Sequence, residues 1–132
     1  MSEENVEVVR RIYEALNETG EPPVGFGAPN YEFDASDVMP DMPPSRGQEE
    51  AVRMFRSYSE MFDDFTVTLE EVIAADNECV VTSVNDGGRM KGSDAEVWNR
   101  FFHVFTLRNG KVTRWSSHLT RERALEAAGL SE

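Results

Sequence analysis

The chain has 132 residues, 39% hydrophobic and 29% charged, with a formal net charge of −12 and one cysteine. That length suits one domain with a real core, and residues 1–132 are read as a single unit. The acidity argues against nucleic acid as partner, because phosphate neutralisation needs clustered Lys and Arg, and is read first as a device for solubility. Cys79 alone forms no internal disulfide and no cysteine zinc site; lying in an apolar run, it is read as an inert buried hydrophobe. No apolar run approaches the ~20 residues that cross a bilayer. The start, Met-Ser-Glu-Glu, lacks a basic segment followed by an apolar core, so a cytoplasmic location without membrane contact is expected.

Residues 3–19 place Val6, Val9, Ile12, Tyr13 and Leu16 on one stripe, with Glu3, Glu4 and Glu7 early and Gly20 as stop. This predicts an amphipathic helix. Glu21–Asn30 holds three prolines and two glycines and is expected to be a loop. Tyr31–Asp34 alternates aromatic and acidic side chains, as a short strand does, and Ser36–Ser45 reads as proline-rich and irregular. A second helix is predicted over Gln48–Phe62, with Val52, Phe55, Tyr58 or Ser59, and Phe62 on its apolar stripe. Strands are predicted over Phe65–Ala74 and Glu78–Asn85, with turns at Asp76-Asn77 and Asp86-Gly87-Gly88. Trp98–Leu107 and Lys111–Leu119 flank Asn109-Gly110, the dipeptide of a type I′ hairpin. A short helix over Arg121–Ala128 ends at Gly129.

A two-residue turn fixes the register, setting Arg108 opposite Lys111, Phe102 opposite Ser117, Phe101 opposite His118 and Phe105 opposite Arg114. One face then carries Trp98, Arg100, Phe102, Val104, Trp115, Ser117 and Leu119. The other carries Val97, Phe101, His103, Phe105, Leu107, Val112 and His118. Both faces are substantially apolar, whereas a hairpin wetted on one side alternates more cleanly. Each face is therefore expected to be covered. His103 and His118 fall on one face as diagonal neighbours. Without a third ligand at recognisable spacing they make a weak metal site, and no metal or cofactor is expected.

Two helices followed by a meander of long strands is an α+β pattern. Four runs add a specific likeness: Val8-Val9-Arg10-Arg11-Ile12-Tyr13-Glu14-Ala15-Leu16-Asn17, Arg46-Gly47-Gln48-Glu49, Thr106-Leu107-Arg108-Asn109-Gly110-Lys111-Val112 and Ala124-Leu125-Glu126-Ala127-Ala128-Gly129-Leu130. In that order the chain resembles the SnoaL-like group of the nuclear transport factor 2-like superfamily. The resemblance implies a curved antiparallel sheet wrapped around the N-terminal helices, a cone-shaped barrel with one pocket at its open end. It also implies a homodimer through the convex sheet face, with Phe101, Phe105, Leu107 and Val112 as its apolar groups. One departure is that Pro22-Pro23, Gly25 and Gly27 stand where relatives carry a short helix that helps wall the pocket.

Fold alone does not give function. Matched to ketosteroid isomerase, the hairpin puts Phe102 at the protonated aspartate and helix one puts Ile12 at the tyrosine, while Asp34 reaches the base position. The carboxylate of limonene-epoxide hydrolases falls near Ser117, and the His-Asp arrangement of scytalone dehydratase has no counterpart. None of these activities is assigned. Asp34 and Arg100 remain as catalytic candidates: a base if desolvated, and a guanidinium that holds an anionic or carbonyl group. Equally, Asp34 ends a strand in solvent, and Arg100 pairs internally with Asp34, Asp37 or Asp41. Tyr13, Phe33, Phe55, Tyr58, Trp98, Phe102, Trp115 and Ser117 are the candidate ligand-binding residues, shared between pocket and core. Three readings stand open: a binder of an apolar or aromatic small molecule with a polar or anionic group; an isomerase, hydrolase or cyclase for a polyketide- or steroid-like substrate; and a non-catalytic dimerisation domain.

Overall fold

A computed structural model describes residues 2–130. Helix α1 spans Ser2–Thr19 and strand β1 Gly27–Asp34; β2 is Ser45–Arg46 and α2 Gly47–Ser59. Then come β3 (Thr66–Ala75), β4 (Cys79–Arg89), β5 (Glu96–Arg108), β6 (Lys111–His118) and α3 (Arg121–Ala127). The strands form one open sheet in the order β2-β1-β6-β5-β4-β3. It is a mixed sheet, because β1 runs parallel to β6 while the other pairs are antiparallel.

The stripe predicted for α1 is the one that is buried: Val9, Ile12, Tyr13 and Leu16 are at most 4% exposed. Asn17 then clamps the helix to the sheet. Its amide donates to the Val67 carbonyl at 2.9 Å and accepts from the Val67 N–H at 2.7 Å, so both backbone groups of an edge-strand residue are satisfied. Helix α2 starts where Glu50 Oε1 accepts the Arg46 N–H at 2.9 Å. It stops at Ser59 rather than Phe62, because Phe62 bridges to Met90. Helix α3 packs on the opposite side of the sheet, where Ala124 and Leu125 cover Val81 and Val104. Thr120 caps it by accepting the Arg123 N–H at 3.1 Å. Gly129 closes it with the Leu130 N–H to the Leu125 carbonyl at 2.8 Å.

The hairpin turn is of type I′, with φ of 54° at Asn109 and 77° at Gly110. Arg108 faces Lys111 and Leu107 faces Val112, as expected, but the register then slips. Thr106 pairs with Arg114, Phe105 with Trp115, His103 with Ser117 and Phe102 with His118. Thr113 is the extra residue, a bulge that no turn rule foretells. Because side chains alternate, the slip exchanges the faces of β6. Trp115 and Ser117 therefore share a face with Phe101, His103 and Phe105, not with Trp98, Arg100 and Phe102. The dimer-face expectation is corrected by the same observation. Phe105, Leu107 and Val112 are core residues at most 3% exposed, and Phe101 packs against that core.

Two further boundaries differ from expectation. Strand β1 begins at Gly27, inside the predicted loop, because it can pair across an irregular register with Val112 before joining Arg114–Ser116. Asp86-Gly87-Gly88 is not a turn but part of the β4–β5 ladder, just before its end at Arg89, and the turn lies at 90–95. The glycines explain the difference. A Cβ on Gly87 (φ 148°) would lie 1.8 Å from the Val97 carbonyl oxygen, and one on Gly88 (φ 151°) 2.6 Å from that of Asp64. They let two neighbouring backbones approach rather than reverse the chain.

This distinction is measurable. Gly92, in the turn proper, has φ of 74° and open space around it, so Gly92→Ala should cost about 1 kcal/mol of stability. Gly87→Ala meets backbone and should cost about 3 kcal/mol or more. Urea melts of the two variants check this, and equal costs would contradict the packing described.

Candidate functional site

Between α1, α2 and the inner face of the sheet lies a cavity of about 410 Å³. Its walls are apolar: Leu16 from α1, Met54 and Phe55 from α2, Phe33 from β1, Phe65 and Val67 near β3, Phe101 and Trp115 from the hairpin. Residues 21–30 are absent from this wall. Ala35, Val38 and Met39, just after β1, close that side instead. Trp115 is the aromatic hub, with ring centroids 4.7 Å from Phe55, 5.4 Å from Phe33, 5.4 Å from His103 and 4.6 Å from Phe105.

The polar groups in the wall are few. Asp86 and Asn99 stand opposite each other across β4 and β5, and both line the cavity with Tyr58, His103 and Ser117. The Tyr58 hydroxyl donates to Asp86 Oδ1 at 2.7 Å. Burial pushes the Asp86 carboxyl up to about 6, against the lowering effect of that hydrogen bond. Burial likewise raises the Tyr58 phenol, with the Asp86 charge adding to it. Four residues further along the same ladder, on the same face, His103 faces Thr82. The Tyr13 hydroxyl links them, 2.7 Å from Thr82 Oγ1 and 2.9 Å from His103 Nδ1. Burial pushes His103 down to about 3, with His118 contributing, so the imidazole is neutral at ordinary pH and its Nδ1 is fixed by Tyr13.

The candidate residues thus divide. Phe33, Phe55, Tyr58, Trp115 and Ser117 line the cavity. Tyr13 sits behind it, stacked on His103 at 5.9 Å. Trp98, Arg100 and Phe102 alternate with the cavity-lining Asn99 and Phe101 and so face outward, contrary to the pocket position read from the uninterrupted register. Trp98 is 48% exposed, and Phe102 packs against the α3 cluster. Arg100 pairs with Glu70, Nε to Oε1 at 3.0 Å, rather than with any of the three aspartates considered. Asp34 also turns outward, accepting from the Ser36 N–H at 2.9 Å and from Arg114 at 3.0 Å. Hydrogen bonding from Ser36 and the Arg114 charge hold its carboxyl below the usual range despite some desolvation. His103 and His118 occupy opposite faces: His118 Nδ1 lies 3.0 Å from Asp37 Oδ2, and its Nε2 lies 2.8 Å from Ser116 Oγ. Among the described residues no group of three or more His, Cys, Asp or Glu is placed to hold a metal ion. Cys79 is half-buried, and desolvation pushes its thiol up to about 11.

Sequence reading missed Asp86, Asn99 and His103 as a set. Asp86 looked like a turn residue because two glycines follow it. The usable signal was the even spacing of Thr82, Val84 and Asp86 on one strand face, which becomes meaningful only once β4 is known to continue.

The sheet that curls around α1 and α2 defines the nuclear transport factor 2-like class of α+β cone folds. Residues 9–115 match the SnoaL-like domain family, and the chain belongs to it. Solved structures agree on the fold. A hypothetical protein of ketosteroid isomerase-like fold from Catenulispora acidiphila, in complex with trimethylamine, is 17% identical over 95% of this chain and 94% of its own, with a TM-score of 0.74. A putative SnoaL-like polyketide cyclase from Jannaschia sp. is 21% identical over 96% and 92%, with a TM-score of 0.74. An epoxide hydrolase of M. tuberculosis is 18% identical over 90% and 80%, with a TM-score of 0.71. No curated protein matches the sequence. Among the described residues no helix is long and apolar enough to cross a membrane.

Asp86 gives the site a pH signature. Unfolded, its carboxyl titrates near 3.8, and folded near 6. Between those values the folded state binds more protons, so the stability tied to Asp86 is full at low pH and lost as pH rises through about 6. Asp86→Asn should therefore melt roughly a few degrees above the wild type at pH 8, with the gap closing below about pH 4. Thermal melts across pH test this, and a pH-independent gap would mean the carboxylate is not desolvated.

Proposed function

We propose that this protein binds an apolar, ring-bearing small molecule in the cavity, with the ligand's polar group meeting Asp86, Tyr58 and Asn99. The observation that carries this reading is the contrast inside one enclosure: aromatic and aliphatic walls around a single hydrogen-bonded polar cluster. That is the usual composition of a ligand site, and about 410 Å³ falls in the usual size range of roughly 300–1,000 Å³. The solved neighbour that carries trimethylamine supports the use of such a cone for small molecules. Asp34 and Arg100 are not given a role in this binding, because both face away from the cavity and are paired.

A second reading, catalysis by proton transfer, is favoured by one observation: Asp86 titrates at about 6, close to working pH, where a carboxyl both takes and returns a proton. In that reading Asp86 is the general base toward a carbon acid. Tyr58 orients its carboxylate, and neutral His103, held by Tyr13, faces the charge that develops on the substrate. Isomerisation and cyclisation are the matching reaction classes. Asp86→Asn would then lower the rate by about 10²–10⁴ with KM little changed.

Val38 is partly exposed on the loop that closes the cavity, so Val38→Trp can fill the space without disturbing the sheet. A thermal-shift panel of apolar ring compounds should yield stabilising ligands for the wild type through binding linkage. The same compounds should lose at least about tenfold in affinity for Val38→Trp. Equal stabilisation of both proteins would place the ligand elsewhere and defeat the reading.

A further inference from the structure

The charge inside the cavity selects among ligands. Among the described residues, Asp86 is the one acidic or basic residue in the wall besides His103, and no Lys or Arg lines it. His103 is neutral at ordinary pH, since its imidazole titrates at about 3. Among the described residues no cation lies within ion-pair distance of Asp86; the nearby Arg100 faces outward and is held by Glu70. The one hydrogen bond to Asp86 from Tyr58 leaves the carboxylate's charge uncompensated. An ionised carboxylate among apolar walls is costly until a positive charge joins it.

The remaining surface suits that positive charge. Phe33, Phe55, Tyr58, Phe65, Phe101 and Trp115 all border the space, and ring faces attract cations, most strongly where water is excluded. An anion would meet Asp86 with no basic partner. A neutral ligand would gain the apolar contacts but leave the carboxylate unpaired. The chain's formal charge of −12 favours the approach of cations over anions as well.

From this we infer that the ligand of the cavity is an organic cation, a protonated tertiary amine or quaternary ammonium on an apolar, ring-bearing body, whose charge pairs with Asp86. The inference rests on the cavity being the binding site, as proposed above.

Calorimetric titration at pH 7.5 with three probes of similar shape tests it: phenyltrimethylammonium, its neutral isostere tert-butylbenzene, and benzoate. The cation should bind at least about tenfold more tightly than the isostere, and benzoate should not bind. Asp86→Asn should abolish the preference for the cation over tert-butylbenzene. If tert-butylbenzene binds as well as the cation, or if the cation preference persists in Asp86→Asn, the cation inference falls and the apolar-cavity reading stands. If neither the cation nor the isostere binds, both fall together.

Discussion

The structure turns on one extra residue in β6. The bulge at Thr113 slips the β5–β6 register after only two pairs, and that slip aims Trp115 inward. Trp115 then touches β1 through Phe33, α2 through Phe55, and β5 through His103 and Phe105. Without the slip, Trp115 would point to the α3 side, and Arg114 and Ser116 would face the core. Burying the Arg114 guanidinium there would be costly, which favours the bulged register, whereas Ser116 is buried in the observed register as well. The parallel partner β1 shows an irregular register beside the same stretch, between Gly27 and Glu32, so the disturbance is shared across neighbouring strands.

Curvature follows from similar local devices. Strand β3 carries two register shifts against β4, and bulges bend and twist a strand. Gly87 and Gly88 allow close backbone approach where β4 passes β5 and the chain after α2. A sheet bent this way wraps α1 and α2 but leaves space beneath its far end, and the cavity is that space. The inner end is filled by Ile12, Val80, Phe105 and Val112, each fully buried. Toward the mouth the packing gives way to Asp86, Asn99 and Ser117.

Two polar clusters therefore share one sheet and differ in what faces them. On the outer side, Asp34 has Arg114, and Asp37 has both His118 and Arg123. Those carboxylates are satisfied by the protein itself. On the inner side Asp86 has one phenol and, among the described residues, no cation, and its carboxyl rises to about 6. A paired surface carboxylate contributes little and does little. The desolvated one is where binding energy or proton chemistry is available.

The sequence by itself determined the α+β class, the stripe of α1, the Asn109-Gly110 turn and the family, because these depend on local periodicity and on φ values that only certain residues accept. It also pointed to Phe33, Phe55, Tyr58, Trp115 and Ser117, which line the cavity. Tertiary structure alone decided which face of each hairpin strand is concave. That choice rests on a single-residue bulge, and one residue of slip reverses every side chain beyond it. The same limit hid the polar site. Asp86 belongs to the cavity only because β4 runs on through two glycines, and whether a glycine pair turns a chain or admits a neighbouring backbone depends on what packs against it. Arg100 and Asp34 drew attention as the charges nearest the aromatic runs, but their partners Glu70 and Arg114 are distant in sequence and are set by strand pairing.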